Sequence, residues 1–381
     1  MLKSPLAPYL YWAKTRPTPR IDLAGSNLLA CALDDLPGSR DAIDLTAADR
    51  NGYPPLLDAI AAHYGVTTDH VALASGCSAA NFLVIGALVG PGDDVLMESP
   101  WYDQITGACE LVGASVRHFA RRFEDGYSID VSTVRAALTP RTRLIIVTTP
   151  HNPSGAILTR PSLESLQAVA EEIDGYVLVD EVYLDAANLM LARASSSTTA
   201  RVAGPGAARA AGTQAPAALL GDRLLSVSSL TKSYGLAGLR CGWVIGAPEA
   251  VARIRRVRDV IDNIGAAPAD RLSALAFGQI DALAHRATTL LSANLELARV
   301  FFAAQPRLET TVPLAATVTF PRIRGVADTQ PFVTQLFETT GVAVASGHFF
   351  GAPDHFRISL AGRTADLREG LACLGRALEQ V

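Results

Sequence analysis

The residue type best suited to covalent chemistry in this sequence is a lysine that follows a predicted strand. Residues 228–243 read SSLTKSYGLAGLRCGW, in which hydroxyls end the strand, Lys232 follows, and glycines surround Arg240. Burial of a lysine in apolar surroundings lowers its pKa and makes the neutral amine a nucleophile toward an aldehyde. The neighbouring hydroxyls and Arg240 would suit a phosphate group. The alternative is an ordinary solvated lysine.

The rarity of lysine favours the chemical interpretation. Lys3, Lys14 and Lys232 are the three lysines among 33 basic residues, and the other 30 are arginines. Such a bias is typical of a GC-rich coding sequence, so an arginine at the surface carries little information. A lysine retained at position 232 therefore indicates a need for an amine.

Three further segments bring polar side chains to strand ends or to the start of a helix. Residues 176–183, YVLVDEVY, deliver Asp180 after an apolar run, and residues 148–155, TTPHNPSG, form a turn after another. A buried carboxylate needs a cationic or hydrogen-bonding partner, and a protonated pyridine nitrogen would serve. Residues 74–81, ASGCSAAN, open a helix whose free N–H groups could bind phosphate. Taken singly, residues 176–183 could end in a surface turn, residues 148–155 could form a plain loop, and residues 74–81 could be an ordinary helix start.

Composition and charge exclude several classes of protein. A net charge of −4, without long runs of one sign, gives no field that would gather nucleic acid. An apolar fraction of 49% supports a large buried core, and no apolar run reaches the roughly 18 to 20 residues of a membrane span. The seven histidines and five cysteines form no metal-binding pattern, so no metal is expected. Scattered cysteines and a first segment without secretion features predict a cytoplasmic protein.

The spacing of apolar residues predicts an α/β fold with a mostly parallel central sheet flanked by helices. Short β-branched runs alternate with amphipathic stretches from about residue 45 to 250, which is typical of a sheet covered on both faces. Ligands of such sheets bind at the carboxyl ends of the strands. The predicted strands are residues 94–98, 115–119, 144–149, 176–180, 224–228 and 242–246, and the predicted helices between them are residues 78–89, 132–138 and 161–173.

The pattern changes after residue 248, where it becomes helical to about residue 305. Strands at 317–321, 342–345 and 356–360 and helices at 329–340 and 364–379 then predict a smaller α+β C-terminal domain. We therefore predict a large domain over residues 45–285 and a small domain that combines residues 1–44 with residues 286–381. The low-complexity residues 192–218 are predicted to form a solvated loop, with a cap over the active-site mouth as the alternative.

Together these segments resemble a known family of enzymes. The pattern SxxKxxGxxGxRxGW is met at Ser229, Lys232, Gly235, Gly238, Arg240, Gly242 and Trp243. This pattern, with the order and spacing of the other segments from about residue 20 onward, is similar to that of the class I/II aminotransferases. Those are fold type I enzymes that use pyridoxal 5′-phosphate (PLP). The resemblance implies this cofactor, a large PLP-binding domain, and an amino acid and a 2-oxo acid as substrates.

The resemblance assigns roles around the cofactor ring. Lys232 matches the lysine that forms the internal aldimine and then moves the proton between substrate and cofactor. Asp180 matches the aspartate that keeps the pyridine nitrogen protonated, which makes the ring an electron sink. Asn152 and Tyr183 match the pair that hydrogen-bonds the ring's 3-oxygen. Tyr183 is therefore grouped with Lys232 and Asp180 as catalytic.

The remaining matches concern ring stacking, substrate and phosphate. Tyr102 matches the aromatic residue that stacks on the ring, with Trp101 as its nearest rival. Arg357 matches the arginine whose planar fork grips the substrate α-carboxylate, and the resemblance also places Asn152 among the substrate-binding residues. Gly25 falls near the N-terminal segment that closes over the substrate. The matches to the phosphate site are Ser75, Gly76, Cys77, Ser229 and Arg240.

One position departs from the family pattern. Many members carry a tyrosine shortly before the glycine of the segment that reads NGYPPL here, and it reaches the phosphate bound by the other subunit. Ala47 stands at that position, so another group would have to supply the contact. The resemblance still implies a homodimer with its active site at the subunit interface.

The leading functional hypothesis is an aminotransferase. Lyase, decarboxylase or oxidase chemistry on an amino acid stays open, because those PLP-dependent reactions begin with the same groups. A ligand-sensing regulator with an aminotransferase-like domain is a further alternative. No helix-turn-helix pattern precedes the predicted large domain, which counts against the regulator.

Overall fold

The computed structural model describes residues 7–46, 51–196, 213–313 and 315–380. Lys3, Ala47 and much of the predicted 192–218 loop therefore lie outside the described residues. The helices are α1 (Pro8–Thr15), α2 (Ser39–Ala42), α3 (Pro54–Tyr64), α4 (Cys77–Leu88), α5 (Asp103–Leu111), α6 (Val131–Ala137), α7 (Arg160–Glu172), α8 (Leu184–Ser196), α9 (Leu230–Tyr234), α10 (Pro248–Ile261), α11 (Ala267–Gly278), α12 (Ile280–Ala303), α13 (Gln330–Thr340) and α14 (Thr364–Leu378). The strands are β1 (Ile21–Asp22), β2 (Val71–Ser75), β3 (Asp94–Ser99), β4 (Ser115–Ala120), β5 (Thr142–Thr148), β6 (Tyr176–Asp180), β7 (Leu224–Ser229), β8 (Cys241–Ile245), β9 (Leu308–Glu309), β10 (Val318–Thr319), β11 (Arg322–Ile323), β12 (Val342–Ala343), β13 (Ala345–Ser346) and β14 (Phe356–Ser359).

A seven-stranded sheet with the order β2-β8-β7-β6-β5-β3-β4 lies at the centre of the described chain. Strands β3 to β7 pair in parallel, whereas β8 runs antiparallel to both of its neighbours. Along β5, Leu144 and Ile146 pack under α4 and α10, whereas Ile145 and Val147 pack under α7 on the opposite face. The predicted α/β fold with a mostly parallel sheet between helices is therefore confirmed.

The six predicted strands of this sheet are all present, with ends within two residues of the predicted ones. Strand β2 was not predicted. Its sequence, VALAS, is short and contains two alanines, which are depleted in strands. It becomes a strand through antiparallel pairing with β8, a long-range contact that a local pattern does not encode.

Three neighbouring parallel strands end at the same edge of the sheet. Strand β5 ends at Thr148, β6 at Asp180 and β7 at Ser229, and the register pairs Thr148 with Asp180 directly. Because these strands are adjacent and parallel, the segments that follow them are brought together.

A second apolar core lies in the C-terminal part of the chain. Strand β14, which pairs antiparallel with β10 and β13, packs with α12, α13 and α14, and β1 pairs in parallel with β12. Ile21 and Leu23 join this core, so the N-terminal segment packs there. The predicted helical region after residue 248 forms three helices, with a break after Gly278. Among the described helices, none combines the length and apolar character required to cross a membrane.

Candidate active site

A cavity opens at the carboxyl ends of β5, β6 and β7. Eight of the predicted site residues line it: Cys77, Tyr102, Asn152, Asp180, Tyr183, Ser229, Lys232 and Arg240. Four others, Gly25, Ser75, Gly76 and Arg357, are not part of the lining. The lining also includes Leu10, Ser26 and Asn27, so residues from seven separate stretches of the chain surround this cavity.

Lys232 lies on the short helix α9, directly after β7. Ser229 caps this helix, because its hydroxyl accepts the backbone N–H of Thr231 at 3.4 Å. Gly235 ends the helix with a φ of 78°, a left-handed conformation that glycine adopts without strain. The cap and the glycine restrict the lysine to one turn of helix at the cavity wall.

The amine of Lys232 contacts the N-terminal segment. Its Nζ donates to Ser26 Oγ at 2.9 Å and to Asn27 Oδ1 at 2.5 Å. Desolvation, followed by the positive charge of Arg357, lowers the pKa of Lys232 to about 7. A large fraction of the amine is therefore neutral and nucleophilic near neutral pH.

Asp180 is a buried carboxylate at the end of β6. Its Oδ2 accepts from Asn81 Nδ2 at 2.8 Å, and its Oδ1 accepts from the backbone N–H of Val182 at 3.1 Å and the thiol of Cys77 at 3.4 Å. Burial raises the pKa of Asp180, and the bond from Asn81 opposes that shift. All three of these donors are neutral, so the carboxylate can still match a cation in the cavity.

The start of α4 and the strand β8 form a narrow corner with Arg240. Arg240 Nη2 donates to the carbonyl of Ser75 at 3.0 Å. A Cβ at Gly76 would lie 2.2 Å from that Nη2, and a Cβ at Gly242 would lie 2.4 Å from the carbonyl carbon of Gly76. Both glycines are therefore required for the guanidinium to lie against the N-terminus of α4. The hydroxyl of Ser75 donates to Asp262 at 3.0 Å, outside the cavity lining.

Two tyrosines line the cavity. Burial raises the pKa of Tyr183 to about 12, so its hydroxyl stays protonated, and Lys232 Nζ lies 6.0 Å from its ring centre. Tyr102 immediately precedes α5, and burial raises the pKa of its hydroxyl as well. The ring of Trp101, its predicted rival, stacks on His118 at 4.3 Å and does not line the cavity.

Arg357 lies fully buried behind Asn152. Its Nη1 donates to Asn152 Oδ1 at 2.8 Å, and its Nη2 donates to Tyr9 Oη at 2.9 Å and the carbonyl of Ala24 at 2.7 Å. Its Nε is buried and has no hydrogen-bond partner among the described residues. A buried guanidinium with neutral acceptors can still match a carboxylate. Gly25 lies between Ala24, whose carbonyl contacts Arg357, and Ser26, whose hydroxyl contacts Lys232.

Several cavity residues were missed by sequence reasoning. Asn81 lies one helical turn after Cys77, so the helical period alone could have placed both on one face. Ser26 and Asn27 are distant in sequence from Lys232, and no local signal indicates their contact. Thr148, the last residue of β5, also lines the cavity.

Comparison with known proteins identifies the family. The model of the family "Aminotransferase class I and II" matches residues 44–374. Capreomycidine synthase of Streptomyces vinaceus is 30% identical over 84% of this chain and 77% of its own length. The probable N-succinyldiaminopimelate aminotransferase DapC of Mycobacterium tuberculosis is 30% identical over 79% of this chain and 75% of its own length.

Solved structures share the fold. A PLP-dependent aminotransferase from Streptococcus suis 89-1591 aligns with a TM-score of 0.86 at 24% identity, over 100% of this chain and 99% of that one. The N-succinyldiaminopimelate aminotransferase from Mycobacterium tuberculosis aligns with a TM-score of 0.82 at 24% identity, over 99% and 100% of the two chains. The resemblance found in the sequence is confirmed, and the chain belongs to the class I and II aminotransferase family.

Proposed function

We propose that the cavity binds PLP through Lys232 and Asp180, and that the enzyme moves the α-amino group of an amino acid to a 2-oxo acid. Membership of the family makes the protein an aminotransferase. The observation that carries the assignment of the site is a lysine amine of lowered pKa beside a buried carboxylate, at the ends of neighbouring strands.

The cavity fits the cofactor at three points. The buried Asp180 receives three neutral donors, so a protonated pyridine nitrogen would match its charge. Gly76 and Gly242 allow the guanidinium of Arg240 to lie in close contact with the N-terminus of α4, where any added Cβ would clash. Both features suit a phosphate. Lys232 has the amine that would bond to the aldehyde carbon.

When bound, the cofactor supplies the ring that withdraws electrons from the substrate Cα. Lys232 then acts as the base and acid, because a neutral Nζ can take the Cα proton and give it back. Ser26 and Asn27 hold that nitrogen from the side of the N-terminal segment. We assign Tyr183 and Asn152 to the 3-oxygen of the ring and Tyr102 to its face, since all three line the cavity.

Arg357 is assigned to the α-carboxylate of both substrates. Its guanidinium is held by Asn152, Tyr9 and Ala24, and it has a buried Nε without a partner. Because the amino acid and the 2-oxo acid carry the same α-carboxylate, one arginine serves both half-reactions.

We further propose a homodimer in the cytoplasm, with a large domain over residues 45–285. Val260 and Ile261 are 86% and 53% exposed beside the groove between α4 and α10, and Leu45 is 84% exposed. Apolar side chains this exposed are typical of a subunit interface. All five cysteines are free, which suits a reducing compartment. Sedimentation of the holoenzyme should give twice the 40.1 kDa chain mass.

A half-reaction tests the proposed chemistry. The holoenzyme is mixed with single amino donors in the absence of a 2-oxo acid, and the absorbance of the cofactor is followed. Amino-group transfer predicts conversion to pyridoxamine phosphate with release of a 2-oxo acid. Since one relative is named a synthase, ammonia and CO2 are measured in parallel. Their release without pyridoxamine phosphate would instead establish lyase, oxidase or decarboxylase chemistry.

A further inference from the structure

A buried ion pair lies beneath the loop that carries Asn152. Glu98 lies near the end of β3, Arg121 follows β4, and their side chains are 1% and 0% exposed. Arg121 Nη1 donates to Glu98 Oε2 at 2.6 Å, and Arg121 Nε donates to the carbonyl of Tyr127 at 2.6 Å. The desolvation of two charges offsets their attraction, so a buried pair is weak evidence for stability. It is better explained by what it holds in place.

The pair holds Thr148, the last residue of β5. Glu98 Oε1 accepts from the backbone N–H of Thr148 at 2.7 Å and from its hydroxyl at 2.6 Å. Arg121 Nη1 also donates to the carbonyl of Thr148 at 3.2 Å. The two charged side chains therefore bind all the polar groups of this one residue.

Thr148 transmits this constraint to the cavity. Its hydroxyl has one proton, which is donated to Glu98, so its lone pairs are left to accept. Thr148 Oγ1 accepts the backbone N–H of Asn152 at 3.0 Å, and Asn152 Oδ1 accepts from Arg357 Nη1 at 2.8 Å. A continuous series of hydrogen bonds thus runs from Arg121 to Arg357.

We infer that Thr148, oriented by Glu98, is a positioning residue that sets Asn152 and Arg357 for cofactor and substrate. This inference rests on the proposed function, which gives Asn152 and Arg357 their ligands. Without the hydroxyl, the N–H of Asn152 loses its acceptor, and the amide is no longer fixed against the guanidinium. Loss of the Thr148 hydroxyl should therefore affect ligand affinity more than turnover.

Three variants separate positioning from packing. Thr148→Val removes the hydroxyl and keeps the shape of the side chain, whereas Thr148→Ser keeps the hydroxyl and loses the methyl. Thr142→Val is the matched control, because Thr142 begins the same strand, is 1% exposed, and its hydroxyl also accepts a backbone N–H, from Thr139 at 2.9 Å. Each is measured as holoenzyme for KM, kcat, Tm and the pH midpoint of its cofactor absorbance change.

In Thr148→Val, we expect KM for both the amino donor and the 2-oxo acid to rise about tenfold, while kcat changes less than about threefold, as for one lost hydrogen bond. The absorbance midpoint should also move, because Asn152 is assigned to the 3-oxygen of the ring. In Thr148→Ser and in Thr142→Val, KM should stay within about twofold of the KM of the parent enzyme. The absorbance midpoint of both variants should stay within about 0.3 pH units of the parent value.

A Thr148→Val enzyme with lowered Tm but unchanged KM and midpoint would have lost only packing, which overturns the inference. Asn152→Ala distinguishes this failure from failure of the proposed function. If Asn152→Ala changes KM and midpoint while Thr148→Val changes neither, the inference alone is wrong. If Asn152→Ala also changes neither, its assigned role is wrong and the inference fails with it.

Discussion

Replacement of Arg357 by lysine tests how the substrate carboxylate is bound. The guanidinium is fully buried and spans two sets of acceptors, with Nη1 on Asn152 and Nη2 on Tyr9 and Ala24. A lysine keeps the positive charge but presents one point of donation instead of a planar fork. It cannot reach both sets and also hold a carboxylate bidentately.

The size of the effect follows from the bonds that are lost. A hydrogen bond to a charged partner contributes roughly 1.5 to 3 kcal/mol, and Arg357→Lys should lose one such bond to the carboxylate. At about 1.36 kcal/mol for each factor of ten, kcat/KM should fall about 10- to 150-fold. The fall should be similar for the amino donor and for the 2-oxo acid, because both present the same group.

Steady-state kinetics of both half-reactions measure this loss. The best donor and its decarboxylated amine are compared, since the amine has no carboxylate for Arg357 to bind. Arg322→Lys is the matched control, because Arg322 pairs with Glu309 and Glu124 in the same part of the chain, away from the cavity. The control should keep kcat/KM within about twofold.

Two results would show that Arg357 does not bind the substrate carboxylate. One is an Arg357→Lys enzyme whose Tm is unchanged and whose kcat/KM for both substrates stays within twofold of the parent value. The other is an equal loss toward the donor and its decarboxylated amine, which would place the effect outside carboxylate binding.

Two further predictions concern cofactor binding. In Gly242→Ala, the added Cβ would meet the backbone of Gly76 at 2.4 Å, so the affinity of the apoenzyme for PLP should fall at least about tenfold. Gly238→Ala is the control, because its added Cβ has open space around it, and it should change the affinity less than about twofold. Fluorescence titration measures both, and equal affinities would contradict the assigned phosphate corner. The rate of PLP association should rise with pH around a midpoint near 7, because desolvation lowers the pKa of Lys232 to about 7 and the neutral amine is the nucleophile. Stopped-flow absorbance would show a midpoint near 10 if Lys232 were an ordinary solvated amine.

The local sequence pattern was sufficient to predict the strands whose carboxyl ends meet at the cavity. The apolar runs before Thr148, Asp180 and Ser229 are strands because they are buried on both faces, and such runs stand out in a sequence. The segment around Lys232 was also predictable from local sequence, because Gly235 adopts the left-handed conformation that ends α9. Arg240 adopts the same conformation after the next short helical turn.

Long-range contacts were not readable in this way. Strand β2 depends on pairing with β8, and the contacts of Ser26 and Asn27 with Lys232 join residues about two hundred positions apart. Glu98 lies near the end of β3 and Arg121 follows β4, and the sequence analysis assigned neither residue a role. Their burial as a pair becomes visible only when β3, β4 and β5 are assembled.

Borohydride reduction of the holoenzyme tests whether Lys232 is the lysine that carries the cofactor. The chain has three lysines; Lys14 lies exposed on α1, and Lys3 lies outside the described residues. Peptide mapping after reduction should find the reduced pyridoxyl group on the peptide containing Lys232, and Lys232→Ala should lose both the label and the cofactor absorbance of the parent. Label on Lys3 or Lys14, or a Lys232→Ala protein that keeps that absorbance, would show that Lys232 does not carry the cofactor.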